Sequence, residues 1–319
     1  MSNTAHAPAQ NRFMAFLSGR TKSGERGMKL GGQLLSQLFL LFIAATVIYP
    51  ILWVVSMSFD PRDIARPTVL RLNPFAGGLS LKAYADVINQ PTANPVSLGQ
   101  LMFNSLQLSV GVGIAAIFVG VFASYAFSRL RFRGRQTLML AVLTVLMLPA
   151  IATLPALFVL LNHVQFTIHG DNFNLRNSLL GVGLAVLSGS LPFSIWNMKG
   201  YLDTIPRELE EAALIDGCTP NTAFFRVTLP LSTPVLAVTF FLAFMSTWTE
   251  FATSWLFLTE PKNFTLMMAL YNMVGQYSNT TPWSHFAAMA IMVALPVTLI
   301  YLFVQRWFVG GLAIGGVKG

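Results

Sequence analysis

The chain has 319 residues and a formal net charge of +8, yet only 10% of its residues are charged, 54% are hydrophobic and its mean hydropathy is +0.62. An ordinary soluble domain is about 25% charged, so this composition excludes a soluble globular protein and indicates an integral membrane protein. The basic residues lie at the edges of apolar runs and form no stripe interleaved with aromatic residues, which argues against nucleic-acid binding.

Residues 1–30 are polar and lack the apolar core of a cleavable signal peptide. Their scattered glycine, serine and asparagine residues follow no helical pattern, so we predict a disordered polar tail over 1–30 and one membrane domain over 31–319.

Six apolar runs follow, and each is long enough to cross about 30 Å of hydrocarbon as a helix. They lack the alternation of barrel strands, and backbone groups in lipid must be paired internally. We therefore predict an all-α fold, a polytopic membrane protein with six transmembrane helices. The predicted spans are residues 34–58, 104–128, 137–161, 178–198, 232–257 and 285–305.

The distribution of basic residues predicts the orientation of these spans. If the amino terminus is inside, fourteen lysine and arginine residues fall on the inner side and six on the outer side. Both termini are therefore predicted to be cytoplasmic, and the four arginines between residues 129 and 135 contribute most to this bias.

Motifs for catalysis are missing from the sequence. It contains no Gly-Lys-Ser or Gly-Lys-Thr phosphate loop, no Gly-x-Ser-x-Gly elbow and no His-Glu-x-x-His pair, so we expect neither ATP hydrolysis nor another enzyme activity from this chain alone. His163, His169 and Asp171 flank an external loop where a weak metal site is conceivable, but a solvated loop is the favoured interpretation. The single cysteine, Cys218, forms no intramolecular disulfide.

A polar segment, residues 199–230, separates the fourth and fifth predicted spans and is longer than a turn requires. Pro206 suits the first turn of a helix, and the glutamates after it lie at the positive end of the helix macrodipole. Gly217 suits the left-handed end of that helix, and Thr219-Pro220 suits the start of a second one that Leu229-Pro230 closes. The segment is thus predicted to be a docking element of two short helices, in which Glu211 meets a basic group of a partner.

The same segment resembles the coupling-loop signature of membrane subunits of binding-protein-dependent ABC importers. That signature is Glu-Ala-Ala, three residues, Gly, nine residues, an aliphatic residue, one residue and Leu-Pro. The matching and enclosed residues are Glu211, Ala212, Ala213, Leu214, Gly217, Leu229 and Pro230, with Val227 at the aliphatic position.

Three further stretches are similar to the second permease subunit of maltose/maltodextrin importers. They are residues 125–132 (Tyr-Ala-Phe-Ser-Arg-Leu-Arg-Phe), residues 196–201 (Trp-Asn-Met-Lys-Gly-Tyr) and residues 305–312 (Gln-Arg-Trp-Phe-Val-Gly-Gly-Leu) with the glycine-rich end that follows. The resemblance covers the chain from the first span to the end.

The resemblance implies a type I ABC importer permease, multi-pass in a bacterial cytoplasmic (inner) membrane. Such a subunit pairs with a homologous second permease subunit to form half of the translocation pathway and is surrounded by membrane lipid. Two cytoplasmic ATPase subunits, which use ATP and Mg, bind one to each coupling loop, and an extracytoplasmic sugar-binding protein delivers the sugar. The resemblance implies no cofactor, metal or nucleic acid bound by this chain itself.

The resemblance also implies roles for residues beyond the coupling loop. In the tail, residues 306–319, we expect an extended or turned chain that contacts the ATPases through Gly311, Gly315, Gly316 and Lys318. The external segment 259–264, with Glu260, Lys262, Asn263 and Phe264, resembles the family loop that faces the binding protein and is expected to reach toward the bound sugar; a solvated connection is the alternative.

Glu250 is the only acidic residue within a predicted span, and Trp248 lies two residues before it. An ionisable residue in a span is a candidate for function, so both residues are candidates for the substrate path. Interfacial anchoring or a structural hydrogen bond is the alternative, since the pair lies near the external boundary.

Three classes of function are open: an ATP-driven permease for maltodextrin or another oligosaccharide, an ion-coupled secondary transporter, and a membrane enzyme. Prolines in or near the spans permit kinks for alternating access, although neighbouring helices accommodate such prolines in many membrane proteins. A secondary transporter needs buried charges and gives residues 199–230 no task, and an enzyme lacks a nucleophile or metal constellation. The importer permease is therefore the predicted function.

Overall fold

The computed structural model describes residues 30–63, 78–168, 171–274 and 281–315, so the predicted tail over 1–30 falls, apart from Leu30, outside the described residues. The longer helices are α1 (Leu30–Ser58), α2 (Lys82–Asn89), α3 (Leu98–Arg129), α4 (Arg135–Val145), α5 (Ala150–Asn162), α6 (Leu179–Leu202), α7 (Glu208–Ile215), α10 (Thr233–Trp248), α12 (Leu266–Met273) and α13 (Trp283–Gly315). The short elements are strands β1 (Gln165–Ile168) and β2 (Asp171–Asn174), helices α8 (Pro220–Ala223), α9 (Leu229–Leu231) and α11 (Ala252–Phe257), a π-helical turn (Phe224–Thr228) and a 3₁₀ turn (Pro261–Asn263).

Four of the helices, α1, α3, α6 and α13, are long and apolar enough to cross a membrane. Two bent pairs reach that length together: α4 and α5 meet at 99°, and the segment Pro220–Leu231 meets α10 at 69°. If each pair is one span, the described part of the chain contains six spans, as predicted. The all-α, multi-spanning fold is confirmed.

The third predicted span, residues 137–161, is not one straight helix. Helix α4 ends at Val145, and Pro149 adopts an extended conformation (ψ 121°) as the cap of α5. Proline lacks an N–H for the helical ladder and disfavours a helical residue before it, so the chain bends there. Pro50, Pro192 and Pro296, by contrast, lie inside unbroken helices.

The loop around His163 contains a β-hairpin, which the sequence analysis did not predict. Strands β1 and β2 pair antiparallel with Phe166 opposite Phe173, and their ring centroids lie 4.8 Å apart. Such a cross-strand aromatic pair stabilises a hairpin. Strands of four residues leave too short an alternation to recognise in the sequence.

Helix α3 is the centre of the bundle, with α6 and α10 packed against it and α13 against α10. A buried cluster near one end of the bundle joins α3, α6, the π-helical turn and α10 through Val121, Met198, Phe224 and Val235. Helix α1 lies at the periphery, and none of its most apolar window is buried within the described chain. In a membrane protein such a surface faces lipid or another membrane subunit.

Candidate functional site: a docking helix held by a buried ion pair

The arginine-rich end of the bundle comprises residues 129–135 and the polar segment that follows α6. There α7 begins at Glu208, two residues after Pro206, and its first turn carries Glu208, Glu210 and Glu211. Acidic side chains at this position favour the helix through its macrodipole. The first of the two predicted helices is present with the predicted acidic start.

Gly217 ends α7 in the left-handed conformation, with φ +86°. The backbone N–H of Cys218 donates to the Ala213 carbonyl (3.0 Å) and that of Gly217 donates to the Leu214 carbonyl (3.1 Å). This pair of bonds is a Schellman motif, which satisfies carbonyls that a helix end otherwise leaves unpaired. The turn that the sequence placed at Gly217 is therefore a defined structure.

The second helix begins as predicted and ends differently. The Thr219 hydroxyl accepts a hydrogen bond from the Thr222 N–H (3.3 Å), and Pro220 is the first helical residue. However, Leu229-Pro230 does not close the element: the chain stays helical through the π-helical turn to Leu231 and then bends into α10. Pro230 lacks an N–H, but it follows the π-helical turn, where the regular pattern of α-helical hydrogen bonds is already interrupted, so it does not stop the helix.

Aromatic packing attaches this second helix to the bundle. Phe224 is 5% exposed, and its ring lies 4.6 Å from that of Tyr125 and 5.7 Å from that of Phe122, both on α3. The Phe225 ring next to it is 54% exposed. Only one of these two adjacent phenylalanines is therefore buried.

A buried ion pair attaches α7 to the last residue of α3. Arg129 Nε donates to Glu210 Oε1 (2.7 Å), and the two side chains are 7% and 12% exposed. Arg129 Nη2 also donates to the Ile205 carbonyl (2.8 Å), and the Tyr125 hydroxyl donates to Glu210 Oε2 (3.2 Å). Charges that are both paired and hydrogen-bonded avoid most of the cost of burial.

A second set of bonds ties the chain between α6 and α7 to the same end of α3. The Ser128 hydroxyl donates to Asp203 Oδ1 (2.6 Å), Lys199 pairs with the same carboxylate, and Arg207 Nη2 donates to the Ser128 carbonyl (2.8 Å). Burial alone would raise the pKa of Asp203, but the Lys199 and Ser128 hydrogen bonds and the charges of Lys199 and Arg129 outweigh it and lower that pKa.

The sequence did not identify Arg129, Ser128, Asp203 or Glu210 as parts of this site. Arg129 served only as a topological signal, and Glu210 only as one of three acids near a helix start. The available signal was an arginine at the end of one predicted span and an acid-rich segment on the same side of the membrane. It did not specify which arginine meets which acid.

The outward face of α7 contrasts with the buried Glu210. Adjacent residues of a helix point about 100° apart, so Glu211 faces away from Arg129. Its side chain is exposed, and no ion pair or side-chain hydrogen bond joins it to another described residue. Leu209, Leu214 and Ile215 are 44%, 43% and 86% exposed. Among the described residues of this helix, Glu208 and Glu211 thus present unpaired carboxylates beside an apolar surface at the arginine-rich end.

Replacing Gly217 with valine is expected to weaken the end of α7. An added Cβ meets no atom within 4 Å, so the cost comes from the left-handed backbone alone, about 1–2 kcal/mol for a residue with a Cβ. Amide hydrogen exchange over residues 212–218 should accelerate about 5- to 30-fold. Gly217→Asn is the control and should accelerate less, because asparagine tolerates this conformation. Equal protection in the valine variant and the wild type would contradict the prediction.

At the opposite end of the bundle, Trp248 belongs to the core and not to a pathway surface. It is 2% exposed, its indole N–H donates to the Val293 carbonyl (3.1 Å), and its ring stacks on Phe244 at 5.5 Å. Its side chain packs between α10 and α13. The structure therefore does not place Trp248 where a sugar reaches it.

Glu250 lies where the fifth predicted span, residues 232–257, is interrupted between α10 and α11. Its carboxylate accepts hydrogen bonds from the Thr253 N–H, the Ser254 N–H (3.1 Å) and the Ser254 hydroxyl (2.8 Å). It therefore satisfies the first free N–H groups of α11. The geometry corresponds to the structural hydrogen bond that was the alternative to sugar contact.

Two asparagines hold residues 259–264 in place. The Asn104 amide donates to the carbonyls of Lys262 (2.8 Å) and Phe264 (2.9 Å). Asn177 Oδ1 accepts from the Thr259 N–H (2.8 Å), and the Asn177 amide donates to Glu260 (3.1 Å). Asn263 also donates to the Asn177 carbonyl (3.1 Å). Glu260 and Lys262 form an exposed ion pair at the tip (2.8 Å).

Two other predictions concern the carboxy-terminal tail and a metal site. The chain after Arg306 is helical to Gly315, so the expected extended or turned segment is wrong there; the low helix propensity of glycine is a weak preference that context overrides. Gly311 and Gly315 lie in α13, while Gly316 and Lys318 fall outside the described residues.

No group of three or more His, Cys, Asp or Glu side chains suits a metal within the described ranges, which omit His169.

Comparison with known proteins agrees with this architecture. Residues 116–313 match the family model described as binding-protein-dependent transport system inner membrane component. The maltose/maltodextrin transport system permease protein MalG of Escherichia coli (strain K12) is 38% identical over 290 residues, covering 88% of this chain and 94% of the relative. The protein of the same name from Vibrio vulnificus (strain YJ016) is 35% identical over 276 residues, covering 86% and 91%.

A solved structure supports the fold independently. A chain from the crystal structure of a bacterial ABC transporter involved in the import of the acidic polysaccharide alginate aligns over 96% of this chain and 100% of its own length, with a TM-score of 0.62 and 20% identity. The part of the chain that matches the family model, residues 116–313, contains both α7 and Arg129. The chain is a multi-pass inner-membrane protein, and it belongs to the family of binding-protein-dependent transport system inner membrane components.

Proposed function

We propose that this chain is the permease subunit of an ATP-driven sugar importer, that it forms half of the translocation pathway, and that maltose or a maltodextrin is its cargo. The observation that carries the coupling role is the two-sided α7: Glu210 is locked to Arg129 while Glu211, Leu214 and Ile215 are free. The relatives named above are maltose/maltodextrin permeases, which supports the choice of cargo.

The geometry suggests how force passes from an ATPase to the membrane helices. An ATPase subunit that binds Glu211 through a basic group and covers the apolar surface would grip α7. Because Arg129 joins α7 to α3, and α3 packs on α6 and α10, a displacement of α7 moves the centre of the bundle. ATP and Mg act in the ATPase subunits, and this chain contributes a rigid connection.

The orientation follows from the charge bias. The arginine-rich end faces the cytoplasm together with both termini, and the opposite end faces the binding protein. There, the segment 259–264 has the fixed backbone and exposed tip that contact with another protein requires. A homologous second permease subunit completes the pathway, and its interface covers part of the exposed apolar surface of the spans.

Reconstitution tests the function. The chain should be co-purified with its partner permease and ATPase, placed in proteoliposomes with the binding protein, and screened with maltose, maltodextrins and acidic oligosaccharides. Uptake should require ATP on the side of the membrane where the ATPase subunits lie. It should not respond to an ion gradient. Uptake that follows an ion gradient without ATP would identify a secondary transporter and reject the proposal.

Glu211→Lys should uncouple the transporter without unfolding it. Reversal of an exposed docking charge is expected to lower uptake about tenfold or more, which corresponds to about 1.4 kcal/mol or more of lost docking. Glu208→Lys, on the same first turn and also exposed, is the control and should retain most uptake. The measurement is ATP-dependent uptake together with the affinity of the purified ATPase for the permease pair. If both are normal in the Glu211 variant, the docking role is wrong.

A further inference from the structure

A cavity of about 700 Å³ opens at the end of the bundle opposite the arginine-rich end. Its walls come from the end of α2 and the loop after it, from α11 and α12, and from the start of α13. Small-molecule sites in proteins commonly span about 300–1,000 Å³ and combine an aromatic wall with a few polar groups. None of the interactions described above accounts for this cavity.

The aromatic wall is Trp255, on α11. Its side chain is 46% exposed, whereas Trp248 seven residues earlier is 2% exposed. The ring packs on Phe251 (5.5 Å) and edge-on to Tyr271 (6.0 Å), and these two rings stack on each other at 4.0 Å. The Trp255 ring is therefore supported by two neighbours while much of its surface remains open. An open aromatic face offers a platform for the C–H groups of a sugar ring.

The polar part of the lining consists of neutral amides. Gln90, Asn94 and Asn272 line the cavity, and no hydrogen bond joins their side-chain amides to another described residue. Each amide both donates and accepts hydrogen bonds, as each sugar hydroxyl does. This complementarity suits a ligand with several hydroxyl groups.

The charge of the lining selects a neutral ligand. Among the described residues that line the cavity none is Lys, Arg, Asp or Glu, and the one ionisable group is His285. His285 Nε2 already lies 3.1 Å from Asp86, and the Asp63 carboxylate lies 3.7 Å from Nδ1. An anionic sugar would find no free cation there and two carboxylates nearby.

The walls are held in place before any ligand arrives. Pro91 is buried, and the Val96 N–H closes the loop by donating to the Asn94 carbonyl (2.8 Å). Phe264, on the opposite wall, is held through its carbonyl by Asn104. Phe264 also ends the segment 259–264 that we propose faces the binding protein, so the cavity continues directly from that contact.

We propose that this cavity is a binding subsite for glycosyl residues of a neutral oligosaccharide as it leaves the binding protein, with Trp255 as the stacking platform and Gln90, Asn94 and Asn272 as the hydroxyl partners. The inference rests on the proposed function. A longer oligosaccharide reaches both this subsite and the pathway, whereas a disaccharide occupies less of the subsite. The subsite therefore contributes more to the uptake of long chains.

Two substitutions of Trp255 separate stacking from simple bulk. In the reconstituted complex with saturating binding protein, Trp255→Leu should lower maltoheptaose uptake about fivefold and maltose uptake less, while Trp255→Tyr keeps a ring and should stay within about twofold of the wild type. ATP hydrolysis stimulated by the loaded binding protein should persist in both variants. Phe166→Leu, which alters a 44%-exposed aromatic residue on the hairpin, is the control and should leave uptake unchanged.

A thiol placed in the cavity reports occupancy directly. In a Cys218→Ser background, an Asn272→Cys variant of the whole complex should react with a membrane-impermeant maleimide, and millimolar maltoheptaose should slow that reaction whereas an acidic oligosaccharide should not. Equal slowing by the sugar-free binding protein and by the binding protein with maltoheptaose would show that protein contact, and not sugar, shields the thiol, and this would overturn the subsite.

The outcomes also separate this inference from the function on which it rests. Normal maltoheptaose uptake by Trp255→Leu, or an equal loss of maltose uptake, maltoheptaose uptake and ATP hydrolysis, rejects the subsite while the importer function stands. If the wild-type complex imports no sugar with ATP, the proposed function fails and the subsite fails with it.

Discussion

Arg129→Ala is expected to detach α7 from the bundle and abolish coupled transport. The substitution leaves Glu210 buried without a counter-charge and removes a hydrogen bond to the Ile205 carbonyl. Breaking one partner of a buried ion pair typically costs about 3–5 kcal/mol. We expect a lower melting temperature of the purified complex, faster proteolysis of the segment after Gly217, and loss of ATP-driven uptake.

Two controls make this prediction specific. Arg133→Ala removes an exposed arginine from the same loop and should change stability by less than about 0.5 kcal/mol. Arg129→Ala combined with Glu210→Ala removes both charges, so the double variant should lose less stability than the sum of the single variants. Additive losses would show that the two side chains are not coupled, and normal uptake by Arg129→Ala would remove the pair from the transmission of force.

Gly181→Ala should be among the most damaging single-methyl changes in the spans. An alanine Cβ at residue 181 would lie 2.0 Å from the carbonyl oxygen of Leu175, which the Ser178 hydroxyl holds at 2.7 Å. Backbone must therefore move at the start of α6. Overpacking costs about 1–3 kcal/mol and occasionally more, and contact with fixed backbone places this site at the upper end. Thermal unfolding of the complex measures the loss.

The matched control lies on the same helix. Gly189 has no atom within 4 Å of the position that a Cβ would occupy, so Gly189→Ala should be neutral or stabilise α6 by up to about 1 kcal/mol. Opposite signs for the two glycine variants would support the close approach at Gly181. Similar effects of both substitutions would mean that helix propensity, and not the Leu175 carbonyl, controls the response.

Different interactions hold the segments at the two ends of the helical bundle in place. At the arginine-rich end, a charged network around Arg129 and Asp203 fixes α7 and the chain before it to the end of α3. At the opposite end, asparagine amides hold the segment 259–264 through its backbone. At the tip of that segment, Glu260 and Lys262 form an exposed ion pair.

Local chemistry could be predicted well for the loop that carries the coupling motif. The left-handed turn at Gly217, the Thr219 cap and the acidic first turn of α7 depend on neighbours within four residues, so residue type and spacing were enough. Leu229-Pro230 was misjudged as a terminus, because proline tolerates the start of a helical segment as readily as it follows the end of one.

The membrane class and the number of apolar runs followed from the sequence because the cost of placing charge and unpaired backbone in lipid acts on each segment separately. The transport role that the coupling motif indicated is confirmed by the family match, whereas the orientation remains a prediction that rests on charge bias. The bends could not be predicted: Pro149 breaks a span while Pro50 and Pro192 lie inside continuous helices, and residue type alone does not distinguish these positions.

By itself the sequence determined a polytopic helical chain with a two-helix docking loop around Gly217. Only the tertiary structure decided that Glu210 pairs with Arg129 while Glu211 stays free, that Trp248 is buried while Trp255 stays open, and that Asn104 holds residues 259–264. The first set depends on interactions between residues close in sequence. The second set depends on contacts between residues far apart in sequence, such as Arg129 and Glu210 (81 residues apart) and Asn104 and Lys262 (158 residues apart). Local residue patterns do not indicate which distant elements pack together.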